Sequence, residues 1–86
     1  MDINNLIAIV KKKLCEEINI EDIKVEDKSF LHKNHAGNQK GKYHLKLTLK
    51  SDQLKKLDRI ESNKKIYKVL DHELKEFIHS IQILIS

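Results

Sequence analysis

The stretch Phe77-Ile78-His79-Ser80-Ile81-Gln82-Ile83-Leu84-Ile85 constrains this chain more than any other. Between Ile78 and Ile85, Ile and Leu fall at both odd and even positions, so a strand here presents apolar side chains to both faces. Such a run is expected inside a sheet and not at its edge. One imidazole, His79, stands at its entrance and needs a reason of its own.

The remaining elements follow in chain order. Ile3, Leu6, Ile7, Val10, Leu14 and Ile18 recur at three- and four-residue steps, which predicts an amphipathic helix from Asp2 to about Ile18 with Asp2 or Asn4 as its N-cap. Cys15 falls outside that stripe, beside Ala8, and is expected to be a half-buried thiol on the helix flank. Ile20 to Asp27 alternates as a short half-buried strand. Lys28 to Lys42 reads as a loop that holds Gly37, Gly41, His32 and His35, and loops of this length are often functional. Tyr43 to Lys50 has a strict period of two, with Tyr43, Leu45, Leu47 and Leu49 on one face and His44, Lys46, Thr48 and Lys50 on a wet one. Ser51-Asp52 offers the next N-cap. Leu54, Leu57, Ile60, Tyr67, Leu70 and Leu74 then carry one or two helices to Glu76, with a break expected near Glu61 to Asn63. The order α-β-β-α(α)-β predicts an α+β sandwich, a three-stranded sheet covered by helices.

Composition bounds the function. A chain of 86 residues buries only about 60% of its unfolded surface and is expected to form one domain, residues 1–86. Net charge is +4, and every one of the 17 Lys and Arg residues except Arg59 is lysine. Acidic partners or nucleic acid are favoured, but lysine lacks the fork with which arginine reads guanine. A single Cys excludes an internal disulfide, no secretory pattern opens the chain and no apolar run is membrane-length, so a soluble cytoplasmic protein is expected.

Five histidines raise a metal hypothesis. His32-x-x-His35 has ligand spacing, yet a structural zinc site needs four donors. His72, among Asp71, Glu73 and Lys75, reads as solvated, and His44 as an exposed strand residue. Neither a phosphate-cradling glycine loop nor a nucleophile-base arrangement is present, so catalysis is not expected. A nucleic-acid module and a partner or cofactor protein both remain open.

Asp27-x-Ser29-x-x-His32, followed by Ala36-Gly37, His44, Ser51-Asp52, Ile66-Tyr67, Leu70, Glu73-Leu74 and Ile78-His79, resembles the BolA family over nearly the whole chain. The resemblance implies a fold similar to the class II K-homology domain, a partnership with monothiol glutaredoxins in iron and stress regulation, and, for some members, DNA-binding transcriptional regulation. It implies a [2Fe-2S] cluster shared with a glutaredoxin and glutathione, and no cofactor for the protein alone. By position the ligands would be His79 and His32, with His35 a rival because the loop is longer than in typical members. Two imidazoles on one iron would resemble a Rieske arrangement. Both must be neutral to bind, so the shared cluster is expected to weaken below about pH 6.5.

Two departures bear on partners. The family's Arg-His-Arg triplet falls on Ser62, Asn63 and Lys64, which moves any contact with glutaredoxin or an anion to Lys64, Lys65 and Lys68. Gly37 and Gly41 enclose three residues between two strands, so the Gly-x-x-Gly clamp of K-homology domains is missing. Lys40 and Lys42, with Lys46 and Lys50, are left for nonspecific phosphate contacts. A monomer or weak homodimer is expected, with no membrane association.

Overall fold

A computed structural model describes residues 2–29 and 42–86. Helix α1 spans Ile3–Glu17, and its N-cap is Asp2, whose Oδ1 accepts the Asn5 N–H at 2.8 Å. The stripe read from the sequence is the buried one: Leu6, Val10 and Leu14 are fully buried and Ile18 nearly so. Cys15 is exposed and not half-buried, since its position faces away from that stripe. Strand β1 spans Asp22–Asp27, shorter at its start than expected, and β2 spans Tyr43–Lys50. They pair antiparallel, with Val25 opposite Leu47 and Asp27 opposite Leu45.

Three helices follow: α2 at Asp52–Lys55, α3 at Arg59–Val69 and α4 at Asp71–Glu76. Ser51 caps α2 through Oγ to the Leu54 N–H and also donates to the Asn19 carbonyl at 2.7 Å. The break expected near Glu61 to Asn63 lies earlier, at Lys56 to Asp58, because Asp58 is the cap: its Oδ1 accepts the Glu61 N–H at 2.8 Å. Ser62 stays helical by donating its hydroxyl to the Arg59 carbonyl. A second break falls at Leu70, which ends α3 and begins α4. Strand β3, Ile78–Ile85, has the expected bounds and runs parallel to β2.

The strand order is β1-β2-β3. β3 is therefore an edge strand, contrary to the interior position its composition suggests, because the regular β2 takes the centre by pairing with both others. The helices cover one face. Leu45, Leu47 and Leu49 from β2 pack there with Leu6, Val10, Leu14, Ile66 and Leu70, and each fully buried aliphatic side chain contributes about 1.5–3 kcal/mol. Leu57 and Ile60, read as part of the helical stripe, are exposed, Leu57 in the turn between α2 and α3 and Ile60 in the first turn of α3.

Candidate functional site

Parity explains how β3 presents its histidine. Tyr43 pairs with Ile78, and His44 pairs with Ser80, so the register shifts by one residue and His79 is the extra one. The shift keeps Ile78 and Ile81, three residues apart, on the same helix-covered face, opposite Tyr43 and Leu45. A regular strand would have turned one of them outward. Irregularities of this kind re-aim a side chain next to functional sites. His79 is exposed, and its ring meets that of His44 edge to face, with centroids 4.9 Å apart at 64°.

His44 is itself only 6% exposed, which corrects the expectation of an exposed strand residue. Its position on the polar face of β2 is as read, but contacts at the sheet end enclose it. His44 Nδ1 lies 2.6 Å from Ser80 Oγ, and the His44 N–H donates to Ser29 Oγ at 3.0 Å. Ser29 is fixed in turn by its own N–H, which donates to Asp27 Oδ1 at 2.9 Å. The Lys28 N–H donates to the His44 carbonyl at 2.7 Å, and the Tyr43 N–H to the Phe77 carbonyl at 2.9 Å. Asp27, Ser29, His44, His79 and Ser80, distant in sequence, thus form one connected cluster at this end of the sheet.

His32 and His35, the expected second ligand and its rival, lie outside the described residues, as does Lys40. The segment that carries them leaves from Ser29 and rejoins at Lys42, both at this same end. Lys42 Nζ donates to the Lys75 carbonyl at 3.2 Å, so that lysine bridges to α4. His72 is exposed on α4 and stacks edge-on against Phe77 at 5.9 Å, outside the cluster. Among the described residues no three His, Cys, Asp or Glu side chains gather as a metal cage. Within the cluster His79 is the exposed imidazole, and His44 beside it is buried.

The lysines expected to meet a partner sit elsewhere. Lys64 pairs loosely with Glu61 at 3.9 Å. Lys65 and Lys68 line a groove between α3 and α1 together with Lys13, Glu16 and Glu17, where acids offset the bases. On the open sheet face Lys28 Nζ lies 3.2 Å from Glu26, and that hydrogen bond, aided by the charges of Lys24 and Lys46, lowers the Glu26 carboxyl below its ordinary value. Sequence reasoning missed His44 as a buried partner of His79. The odd spacing of Ile78 and Ile81 is compatible with a register shift at His79-Ser80 but gives no signal of what encloses His44. Among the described residues no helix is long and apolar enough to cross a membrane.

Known proteins agree with this architecture. The structure is similar to the BolA domain of SufE1 from Arabidopsis thaliana, with a TM-score of 0.77 and 26% identity over 100% of this chain and 93% of that one. It also resembles BolA1 from Arabidopsis thaliana in fold, with a TM-score of 0.75 at 22% identity over 92% of this chain and 87% of that one. In sequence it is 29% identical over 80 residues to the SufE-like protein 1, chloroplastic/mitochondrial, of Arabidopsis thaliana, covering 87% of this chain but only 22% of that protein's length. It is 25% identical to the DNA-binding transcriptional regulator BolA of Haemophilus influenzae over 87% of this chain and 70% of that protein. The family model for the BolA-like protein matches residues 14–86, and with the fold likeness just given, the chain belongs to the BolA family.

Proposed function

We propose that this chain is a non-enzymatic partner of a monothiol glutaredoxin and shares a [2Fe-2S] cluster with it, in iron-sulfur trafficking and iron or stress regulation in a reducing, cytoplasmic setting. The observation that carries the reading is the exposed His79 ring, set out by a register shift and backed by the buried His44. A cluster of this kind takes four donors, and imidazole in place of thiolate raises its reduction potential. His79 supplies one donor. His32, with His35 as rival, supplies the second, and a glutaredoxin cysteine with glutathione supplies the thiolates that this chain lacks, since its one cysteine is on α1.

The test is a titration with a monothiol glutaredoxin, ferrous iron, sulfide and glutathione, followed by visible absorption and by size. Formation of a coloured heterodimer from two separately colourless proteins is expected. A colourless mixture, or a coloured glutaredoxin homodimer that excludes this chain, would sink the proposal.

A DNA-binding regulator is the second reading, and this chain's similarity to the DNA-binding transcriptional regulator BolA of Haemophilus influenzae favours it. The mixed charge around Lys65 and Lys68 weighs against it. Sequence-discriminating duplex binding that persists at physiological salt would reverse the ranking.

A further inference from the structure

Strand β3 has the composition of an interior strand and the position of an edge one. No charged side chain occurs from Ile78 to Ile85, although edge strands are ordinarily guarded by charge. The opposite edge, β1, shows the usual guard, with Asp22, Lys24, Glu26 and Asp27 in six residues. On β3 the register shift protects only the first residues, and from Ser80 onward the strand is regular.

The backbone is oriented for pairing. The Ser86 N–H donates to the Leu49 carbonyl at 2.8 Å, and the Ser86 carbonyl accepts the Ser51 N–H at 3.2 Å, so Ser86 directs both groups toward β2. Alternation along a parallel ladder then turns the N–H and C=O of Ile83 and Ile85 outward. No described strand pairs with that side.

A groove of about 380 Å³ lies along this edge, between Ile83, Leu84 and Ile85 on one side and Leu57, Arg59 and Asn63 on the other. Leu57 and Leu84 are 40% and 41% exposed, so apolar wall lies open beside the polar Arg59 and Asn63. Lys55 also lines it, and no acidic side chain does. We propose that the outer edge of β3 and this groove take an extended segment of a partner protein as an added strand, one that alternates apolar with acidic residues. Main-chain pairing supplies the affinity, the apolar walls take alternate side chains, and Lys55 and Arg59 select the acids.

A second copy of this chain fits less well, because each copy brings the same two cations to the shared edge and the net charge is +4. The segment between Ser29 and Lys42 leaves from the other end of β2. His79 lies five residues before Leu84, or about 16 Å along a strand, so the two sites are separate and the proposal does not depend on a cluster.

The probe is a capped nonapeptide that alternates valine and glutamate, added to the ¹⁵N-labelled protein at about 0.15 M salt. Binding tighter than about 100 μM is expected, with amide exchange at Ile83 and Ile85 slowed about tenfold or more. A version with proline at its centre is expected to lose binding, and Lys55→Glu with Arg59→Glu is expected to weaken it about tenfold. Leu84→Lys, an exposed substitution, puts a charge on the edge and is expected to abolish the protection even if the double variant fails to fold. Equal binding of a valine-lysine peptide, perturbation confined to the His79 end, preferential occupation of the groove by a single-stranded oligothymidylate, or concentration-dependent dimerisation that protects Ile83 would each overturn the proposal.

Discussion

The exposed ring of His79 rests against the buried ring of His44 at 4.9 Å, and Ser80, the next residue along β3, holds that second ring at Nδ1 across 2.6 Å. One strand thus supplies both the projecting imidazole and the tether for its backing. The register shift makes this possible, since it places His79 outside the pairing and Ser80 beside His44. A side chain on a plain edge would sample several rotamers. Here one wall of its space is already filled, which lowers the entropy lost when it binds.

His79→Ala is expected to separate binding from folding. The residue is exposed, so its loss is expected to change unfolding free energy by about 0.5 kcal/mol or less. The same substitution is expected to remove the visible absorption of the complex with glutaredoxin. Urea unfolding and the spectrum together check this, and an unchanged spectrum would remove His79 from the ligand set.

His44→Ala is expected to act through structure first. The ring is buried and bonded, so truncation opens a cavity and leaves Ser80 without its partner, for a loss of about 2–3 kcal/mol. Ser80→Ala is expected to cost about 1 kcal/mol, because Ser80 itself is solvent-accessible and water reaches the gap. Equal losses in urea titrations would show that the hydrogen bond, and not the packing of the ring, sets the stability of this corner.

Much of the fold was legible because periodicity and caps are local. The α1 stripe, the alternation of β2 and the bounds of β3 all follow from side-chain spacing, and Ser51 and Asp2 declare their helices by side-chain chemistry. Asp58 declares α3 in the same way, whereas the small residues near Ser62, where a break is expected, are absorbed by the helix. The edge position of β3 was not legible, since the apolar content of a strand records burial by any neighbour, including one outside the chain. Nor was the burial of His44, which depends on contacts from two separated stretches, Lys28-Ser29 and His79-Ser80. Of the candidate site, His79 is read from the sequence as a candidate at the entrance of β3, and the contacts that place its ring against His44 are visible only in the fold.

The Lys13-Glu73 pair is a further feature that only tertiary structure brings together. Lys13 Nζ lies 2.7 Å from Glu73 Oε2, Glu73 is 3% exposed, and its Oε1 has no hydrogen-bond partner among the described residues. Lys13→Met strands a buried carboxylate and is expected to cost about 2–3 kcal/mol, less than a fully buried pair because Lys13 is partly exposed. Lys13→Met combined with Glu73→Met is expected to recover most of that loss. A double variant no better than the single one in urea unfolding would show that the pair is not where the energy lies.

Acid is expected to weaken the open sheet face through Glu26. Its hydrogen bond with Lys28, then the charges of Lys24 and Lys46, lower its folded pKa below the ordinary 4.5. A depressed carboxylate contributes stability above the unfolded value and loses it as pH falls through the folded one. The difference in urea midpoint between the native chain and Glu26→Gln is therefore expected to be present at neutral pH and to shrink below pH 4.5. It is also expected to shrink in about 1 M salt, which screens exposed charges. A difference independent of both pH and salt would assign it to packing.

His32→Ala is expected to weaken the shared cluster more than His35→Ala. The first two members of the Asp27-x-Ser29-x-x-His32 pattern are anchored, Ser29 to Asp27 at 2.9 Å and His44 to Ser29 at 3.0 Å, so the segment starts from a fixed point beside His44 and His79. Three residues extend at most about 11 Å and six about 21 Å, so His32 is held within a much smaller volume around that point than His35. A shorter tether raises effective concentration at the neighbouring ring. Ser29→Ala removes the anchor without touching a ligand and is expected to lower cluster yield while leaving His79 intact. The measurement is visible absorbance per complex across the three variants at one glutathione concentration. A larger loss for His35→Ala would show that the longer loop has exchanged its ligand, and no loss for Ser29→Ala would show that the anchor does not position the segment.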